Sequence, residues 1–171
     1  IWRNNPQEII AKYLSWANNE VKPKAVIVYE TMWGSTEKMA RRIVDGITSS
    51  GIEVKLFDIN QSDRTEVIKE MLDAKAFIFG SSTHDNGMLP SMAGFLKFVH
   101  GLAPKNRVAS AFGSFGWAGG GVKELEGAIS ALDIALLQPG VAFKYVPNDS
   151  ELKVCFEFGK NIADKIKLNN Q

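Results

Sequence analysis

The spacing of apolar and polar positions changes repeatedly along the chain, and from residue 24 onward short β-branched runs alternate with stretches of helical period. That βαβα rhythm predicts a parallel sheet with helices on both faces. Five strands are expected: Ala25 to Glu30, Ile52 to Asp58, Ala76 to Ser81, Arg107 to Gly113 and Val141 to Val146. The first is continuously apolar rather than alternating, which suits a strand covered on both faces.

Between the first two strands, Met39, Ala40, Ile43, Val44 and Ile47 recur at helical spacing, opposite Lys38, Arg41, Arg42 and Asp45, with Gly51 placed to end the helix. Asp63 and Glu66 form a capping pair ahead of Val67, Ile68, Met71 and Leu72. Pro90 suits the first turn of a third helix burying Met92, Phe95, Leu96 and Val99. A fourth carries Leu125, Ala128, Ile129 and Leu132, and a last one, from near Ser150, buries Val154, Cys155, Phe158, Ile162 and Ile166 before the polar tail Asn169, Asn170 and Gln171. Outside this rhythm stands a leading helix over residues 5–18, with Asn5 as cap, Pro6 in the first turn and Ile9, Ile10, Tyr13 and Leu14 apolar. Val21 to Pro23 reads as a linker.

Composition narrows the picture. The 171 residues, 45% hydrophobic and 23% charged, fit one globular domain with a real core. Lys and Arg number 20 against 19 Asp and Glu, so no net field draws the chain to nucleic acid or an anionic membrane. Cys155 is the single cysteine and has no internal partner, which fits a reducing cytoplasm. No apolar run approaches the ~18 residues of a membrane span and no signal peptide is evident, so a soluble cytoplasmic protein is expected. The chain opens on Ile1 rather than methionine, which suggests a start inside a longer polypeptide.

In open parallel sheets, ligands sit beyond the carboxyl ends of the strands where the winding reverses. The loop after the first strand is Thr31, Met32, Trp33, Gly34, Ser35, Thr36, and a helix starts at once. Hydroxyls, a permissive glycine and a helix N-terminus are the equipment for holding a phosphate, although the same residues are also ordinary helix caps. The Gly-Lys-Ser/Thr ending of a triphosphate P-loop is missing, as is the Gly-x-Gly-x-x-Gly of dinucleotide folds. After the third strand come Ser82, Thr83, His84, Asp85, Asn86 and Gly87, a polar loop able to hydrogen-bond the edge of a heteroaromatic ring. The fourth strand leads into Gly113, Ser114, Phe115, Gly116, Trp117, Ala118, Gly119, Gly120 and Gly121, where Phe115 and Trp117 are suited to covering a flat ligand. Each of the last two has a plain alternative, a surface turn and a tryptophan packed on its own domain. His84 and His100 alone cannot build a diiron centre, no His-x-x-x-His or Cys-x-x-Cys spacing occurs, and no metal is expected. A phosphate-accepting receiver domain is disfavoured, since Ser81 and Ser82 stand where its aspartate belongs.

The Thr-x-x-Gly-Ser-Thr loop, the Ser-Ser-Thr-His-Asp-Asn-Gly segment and the Gly-Ser-Phe-Gly-Trp-Ala-Gly-Gly segment resemble flavodoxins, and among them the flavodoxin-like domain of flavodiiron proteins. The likeness covers residues 24 to about 167. It implies a flavodoxin-like three-layer α/β sandwich with strand order 2-1-3-4-5, preceded by an extra helix. The division is then residues 1–23 as connector, similar to the segment after the family's diiron domain and carrying Ile1, Trp2 and Arg3, and residues 24–171 as the FMN-binding domain. By the resemblance, Thr31 to Thr36 surround the FMN phosphate, while residues 82–87 and Ser114, Phe115, Gly116, Trp117, Ala118 and Gly119 flank the flavin. Trp33 replaces a hydroxyl residue common in simple flavodoxins, so backbone must supply that phosphate bond. Asp85 stands where the family often has asparagine, and a carboxylate near the ring disfavours an anionic reduced flavin. The resemblance further implies an electron relay to the diiron site of an oxygen or nitric oxide reductase, in a head-to-tail homodimer and fed by an unidentified reduced donor. A stand-alone electron carrier and a flavin-dependent quinone reductase are the alternatives.

Overall fold

The computed structural model describes residues 4–168; Ile1, Trp2 and Arg3 and the tail Asn169 to Gln171 fall outside the described residues. The elements run α1 (Pro6–Ala17), β1 (Lys22–Glu30), α2 (Ser35–Ser49), β2 (Glu53–Asp58), α3 (Arg64–Met71), β3 (Ala74–His84), β4 (Gly87–Met88), α4 (Pro90–Leu102), β5 (Val108–Phe115), α5 (Gly121–Ala131), β6 (Ala135–Leu136), β7 (Val141–Lys144) and α6 (Asp149–Leu168). Strands β2, β1, β3 and β5 lie side by side in parallel, and β6 and β7 both pair with the far side of β5. The expected order 2-1-3-4-5 is therefore present, with the fifth strand in two pieces. Pro139, with no N–H to give a ladder, lies in the break.

Alternation of side chains divides each buried strand between two half-cores. Ala25, Ile27 and Tyr29 of β1 face α2 and α6, where Met39, Ile43, Cys155 and Ile162 meet them. Val26 and Val28 face the other side, with Val67 of α3, Met92 and Phe95 of α4, and Leu125 of α5. Helices α2 and α6 touch backbone to backbone: a Cβ on Gly46 would overlap the Phe156 carbonyl, and one on Gly159 the Ile43 carbonyl.

Helix starts are set by specific acceptors. Asp63 Oδ1 accepts from Thr65 N at 2.7 Å and Glu66 N at 3.3 Å, while Glu66 turns to Lys69 rather than back to Asp63. At α6, Asn148 Oδ1 accepts from Glu151 N and Glu151 Oε2 accepts from Asn148 N, a reciprocal capping box that fixes the start. Helix α4 has no cap of its own, and the buried Glu30 at the end of β1 supplies one by accepting from Met92 N at 2.8 Å.

Several expectations are corrected. Asn5 does not cap α1 through its side chain; its backbone is left-handed (φ 51°) and its carbonyl takes the Glu8 N–H. Strand β1 opens at Lys22, inside the stretch read as linker, because the Lys22 N–H donates to the Asp73 carbonyl at 2.7 Å. Pro23 coincides with a register shift there, as a residue without a donor requires. Val154 is exposed, one position off the buried stripe of α6. The short strand β4 and the piece β6 have too few residues to carry a period. Helix α1 buries no residue, and Ile10, Tyr13 and Leu14 form an exposed apolar stripe. No helix among the described residues is long and apolar enough to cross a membrane.

At the amino edge of the sheet Lys24 is buried and bonds Glu70 Oε2 at 2.7 Å and Asp73 Oδ1 at 2.8 Å, while Lys22 shares Asp73. Burial by itself would lower the Lys24 pKa, but its hydrogen bonds to Asp73 and Glu70 carry it above the ordinary value of 10.5. Burial would likewise raise the Asp73 carboxyl, yet the two lysines hold it below its ordinary 3.8. The stabilisation from Asp73 is thus present above the unfolded carboxyl pKa and is lost as pH falls through the lowered folded value; that from Lys24 is lost only above pH 10.5. Asp73→Asn is expected to cost about 2 kcal/mol at pH 7, measured by urea denaturation, with the gap to the native protein closing below about pH 4.

Candidate cofactor site

Parallel pairing brings the carboxyl ends of β1, β3 and β5 to one edge. Ser82 of β3 and Ser114 of β5 are direct ladder partners, so their side chains lie on the same face. Thr36, in the first turn of α2, sits between them, its Oγ1 2.9 Å from each serine Oγ. All three are buried. Ser82 Oγ also accepts from Met32 N at 3.4 Å, so the loop after β1 is tied to both strands through hydroxyls.

The loop itself turns on Gly34, whose φ of 81° is open to glycine and strained for other residues. Its N–H donates to Thr31 Oγ1 at 3.1 Å. No side chain caps α2, in contrast with α3 and α6, so its first-turn N–H groups keep their donor capacity beside the loop. The partial positive charge of that helix end points the same way.

Over this edge lies an open cavity of about 250 Å³ lined by Met32, Trp33, Ser35, Ser82, Thr83, Ser114, Phe115, Gly116, Tyr145 and Val146. Eight of these were expected from sequence. The others separate from it in distinct ways. Thr31, Gly34 and Thr36 shape the loop from below through the bonds just described. His84, Asp85, Asn86 and Gly87 form the tip of a β3–β4 hairpin, with Asp85 (φ 52°) and Asn86 (φ 62°) both left-handed as a tight hairpin turn demands. That tip packs on the start of α5, where a Cβ at Gly120 would run into the Asn86 carbonyl, and it borders a separate depression with Lys123 and Glu124. Glu124 holds it there by accepting from Met88 N at 2.6 Å, and Thr83 Oγ1 accepts from Gly121 N at 3.2 Å. Ala118 and Gly119 are exposed, and Trp117 is 95% exposed beyond the cavity lining. Trp33 borders the cavity and is 89% exposed.

Sequence reading missed Tyr145 and Val146. They follow β7, and both are strand-forming types that extend the apolar pattern, so they read as strand rather than as rim. The rule that ligands gather at the carboxyl ends applies equally to the fifth strand and was the signal available.

An open, doubly wound parallel sheet with an uncapped helix start and a cavity at its reversal point defines the class of α/β proteins that hold a phosphate-bearing ligand at the carboxyl edge. The chain belongs to the flavodoxin family, whose profile matches residues 27–159. It is 48% identical over 167 residues to a nitric oxide reductase of Moorella thermoacetica, covering 97% of this chain and 42% of that protein. It therefore spans less than half the length of that relative. Among solved structures it is similar to the rubredoxin:oxygen oxidoreductase of Desulfovibrio gigas (TM-score 0.91, 35% identity, covering 95% of this chain and 41% of that one). The flavodiiron protein of Giardia intestinalis is similar too (TM-score 0.91, 29% identity, 98% and 42%). Flavodoxin domains bind FMN, and the residues here fit that group: an uncapped helix start with open N–H donors, beside a cavity lined by hydroxyls and by aromatic and aliphatic side chains.

Thr36→Val removes the hydroxyl shared by Ser82 and Ser114 while keeping the side-chain shape. It is expected to destabilise the fold by about 1–3 kcal/mol, since buried hydroxyls lose their partner, whereas Thr36→Ser retains most of the stability; chemical denaturation of the two variants distinguishes them.

Proposed function

We infer that this chain holds one FMN non-covalently and relays electrons through it to the diiron site of a nitric oxide or oxygen reductase, a site carried by a part of the parent protein that this chain does not span. The observation that carries the cofactor reading is the uncapped start of α2, with Gly34 in a left-handed turn, opening directly on the cavity at the carboxyl edge of the sheet. In this reading Thr31, Met32, Trp33, Gly34, Ser35 and Thr36 hold the phosphate. Ser82, Thr83, Ser114, Phe115 and Gly116 line the ring's approach, and His84 to Gly87, Trp117, Ala118 and Gly119 form its outer rim.

FMN supplies the one- and two-electron chemistry; the protein's part is to bind, orient and screen it. Backbone N–H groups at the α2 start neutralise the phosphate in place of a lysine or arginine. The hydroxyl junction of Thr36, Ser82 and Ser114 keeps those groups at fixed positions. Met32, Phe115 and Val146 give the cavity apolar wall.

Four features support a relay within a larger assembly. Among the described residues no group of His, Cys, Asp and Glu side chains converges to hold a metal ion, so in this reading the acceptor lies on another domain. The relatives are more than twice as long as the matched segment. Exposed Trp33 and Tyr145 line the cavity, Trp117 stands exposed in the loop after β5, and the unburied stripe of α1 offers a second apolar surface, both suited to contact with a neighbouring body such as the head-to-tail partner. A net charge of +1 gives no long-range steering towards a diffusing partner, which a tethered relay does not need. The cytoplasm, where Cys155 stays reduced, fits the chemistry.

The purified protein is expected to be yellow and to release one FMN per chain on denaturation; a colourless protein that also fails to take up added FMN refutes the reading. Trp117→Ala is expected to weaken FMN by about fivefold, the worth of an aromatic contact of roughly 1 kcal/mol, or to shift its redox potentials. Unchanged affinity and potentials remove Trp117 from the site. Upstream of Ile1 the reading frame is expected to encode a histidine- and carboxylate-rich metal domain, and its absence would leave a stand-alone carrier.

A further inference from the structure

Among the described residues eight non-glycine positions have positive φ, and six of them are Asn or Asp, the types that tolerate it. One of the remaining two is Tyr145, at φ 62°. A bulky aromatic residue in this region is strained, because its Cβ crowds the neighbouring backbone. Packing does not compensate here: the residue is 60% exposed. Its N–H donates to the Phe115 carbonyl at 2.7 Å, continuing the β5–β7 pairing by one residue, and this bond holds the strained turn in place. The ring borders the same cavity as Met32 and Phe115. Gly116 leaves that border clear, since even a Cβ there would only touch the ring edge at 3.8 Å. The Lys144 ammonium lies over the ring, 5.0 Å from its centroid.

A strained and exposed aromatic residue at a cavity wall has no explanation in folding, since glycine or asparagine would make the same turn at lower cost. Strain held in this way by surrounding bonds belongs to a binding role. We propose that Tyr145 is a ring-stacking residue of the site, presenting its face to the planar ring of the bound flavin and fixing that ring's position in the cavity. The inference rests on the FMN reading above, and it adds the loop after the fifth strand to the three loops that reading uses. Strain and stacking are coupled in it. The left-handed turn projects the ring over the cavity, and bound flavin supplies the contact area that the empty fold lacks.

The test uses Tyr145→Gly and Tyr145→Phe, with apo-protein melting and titration of FMN and of riboflavin followed by flavin fluorescence. Tyr145→Gly relieves the turn, so its apo form is expected to melt no lower than the native protein. Its affinity for FMN falls at least tenfold, and for riboflavin by the same factor, because the lost contact is to the ring and not to the phosphate. Tyr145→Phe stays within threefold of the native protein for both. Should Tyr145→Gly fail to fold, Tyr145→Asn, also at ease in this turn, takes its place. If the native protein binds FMN and the glycine variant binds it equally well, or loses FMN but not riboflavin, the stacking role is overturned while the FMN reading stands. A native protein that binds neither flavin overturns both.

Discussion

Three buried hydroxyls, on Thr36, Ser82 and Ser114, join the loop after β1 to the ends of β3 and β5, and the geometry of the carboxyl edge depends on that junction. Ser82 and Ser114 meet because their strands are in register, so the sheet itself sets their separation. Thr36 then has only one place to be, and it carries the first turn of α2 with it. An unpaired hydroxyl at this depth costs a large part of the stability of one helix turn. The junction therefore fixes the helix start with a precision that the loop's short-range bonds alone would not provide. Polar groups rather than apolar packing do this, through two contacts of 2.9 Å.

The same edge divides labour between ends of the molecule. At the amino edge Lys24, Glu70 and Asp73 satisfy one another, and Arg107 bonds the carbonyls of Leu72 and Lys105. Charge there is consumed in holding loops together. At the carboxyl edge, by contrast, α2 is uncapped and the aromatic rings of Trp33, Trp117 and Tyr145 are exposed. Glu30, among the described residues the one buried carboxylate near that edge, is taken up by Met92 N and Asn60 and closes α4. The uncapped helix start and these exposed rings thus share the side of the molecule that carries the cavity.

How much of this was legible in sequence follows from what each feature depends on. Buried strands and amphipathic helices are local patterns, and β1, α2, α4 and α6 stand close to where periodicity put them. The turn after β1 was legible because it needs a glycine, and Gly34 stands at its left-handed position. The capping of α4 by Glu30, 62 positions from its partner, was not, since it depends on tertiary pairing. Nor was the separation of the His84 to Gly87 hairpin from the cavity, which Glu124 of α5 decides by holding Met88. Val154 was misplaced because helix period alone does not say how wide a buried stripe will be.

Tyr145 illustrates the deeper limit. Its side chain type, in a run ending Val-Ala-Phe-Lys-Tyr-Val, argues for strand, and nothing local announces a left-handed turn. The turn arises because β7 ends on β5 at Lys144, and the next N–H still reaches the Phe115 carbonyl while the chain must leave for Asn148, the cap of α6. Three constraints from different parts of the fold meet on one residue. Six of the seven other non-glycine left-handed positions among the described residues are Asn or Asp, so the choice of an aromatic residue here carries information about what the cavity contacts.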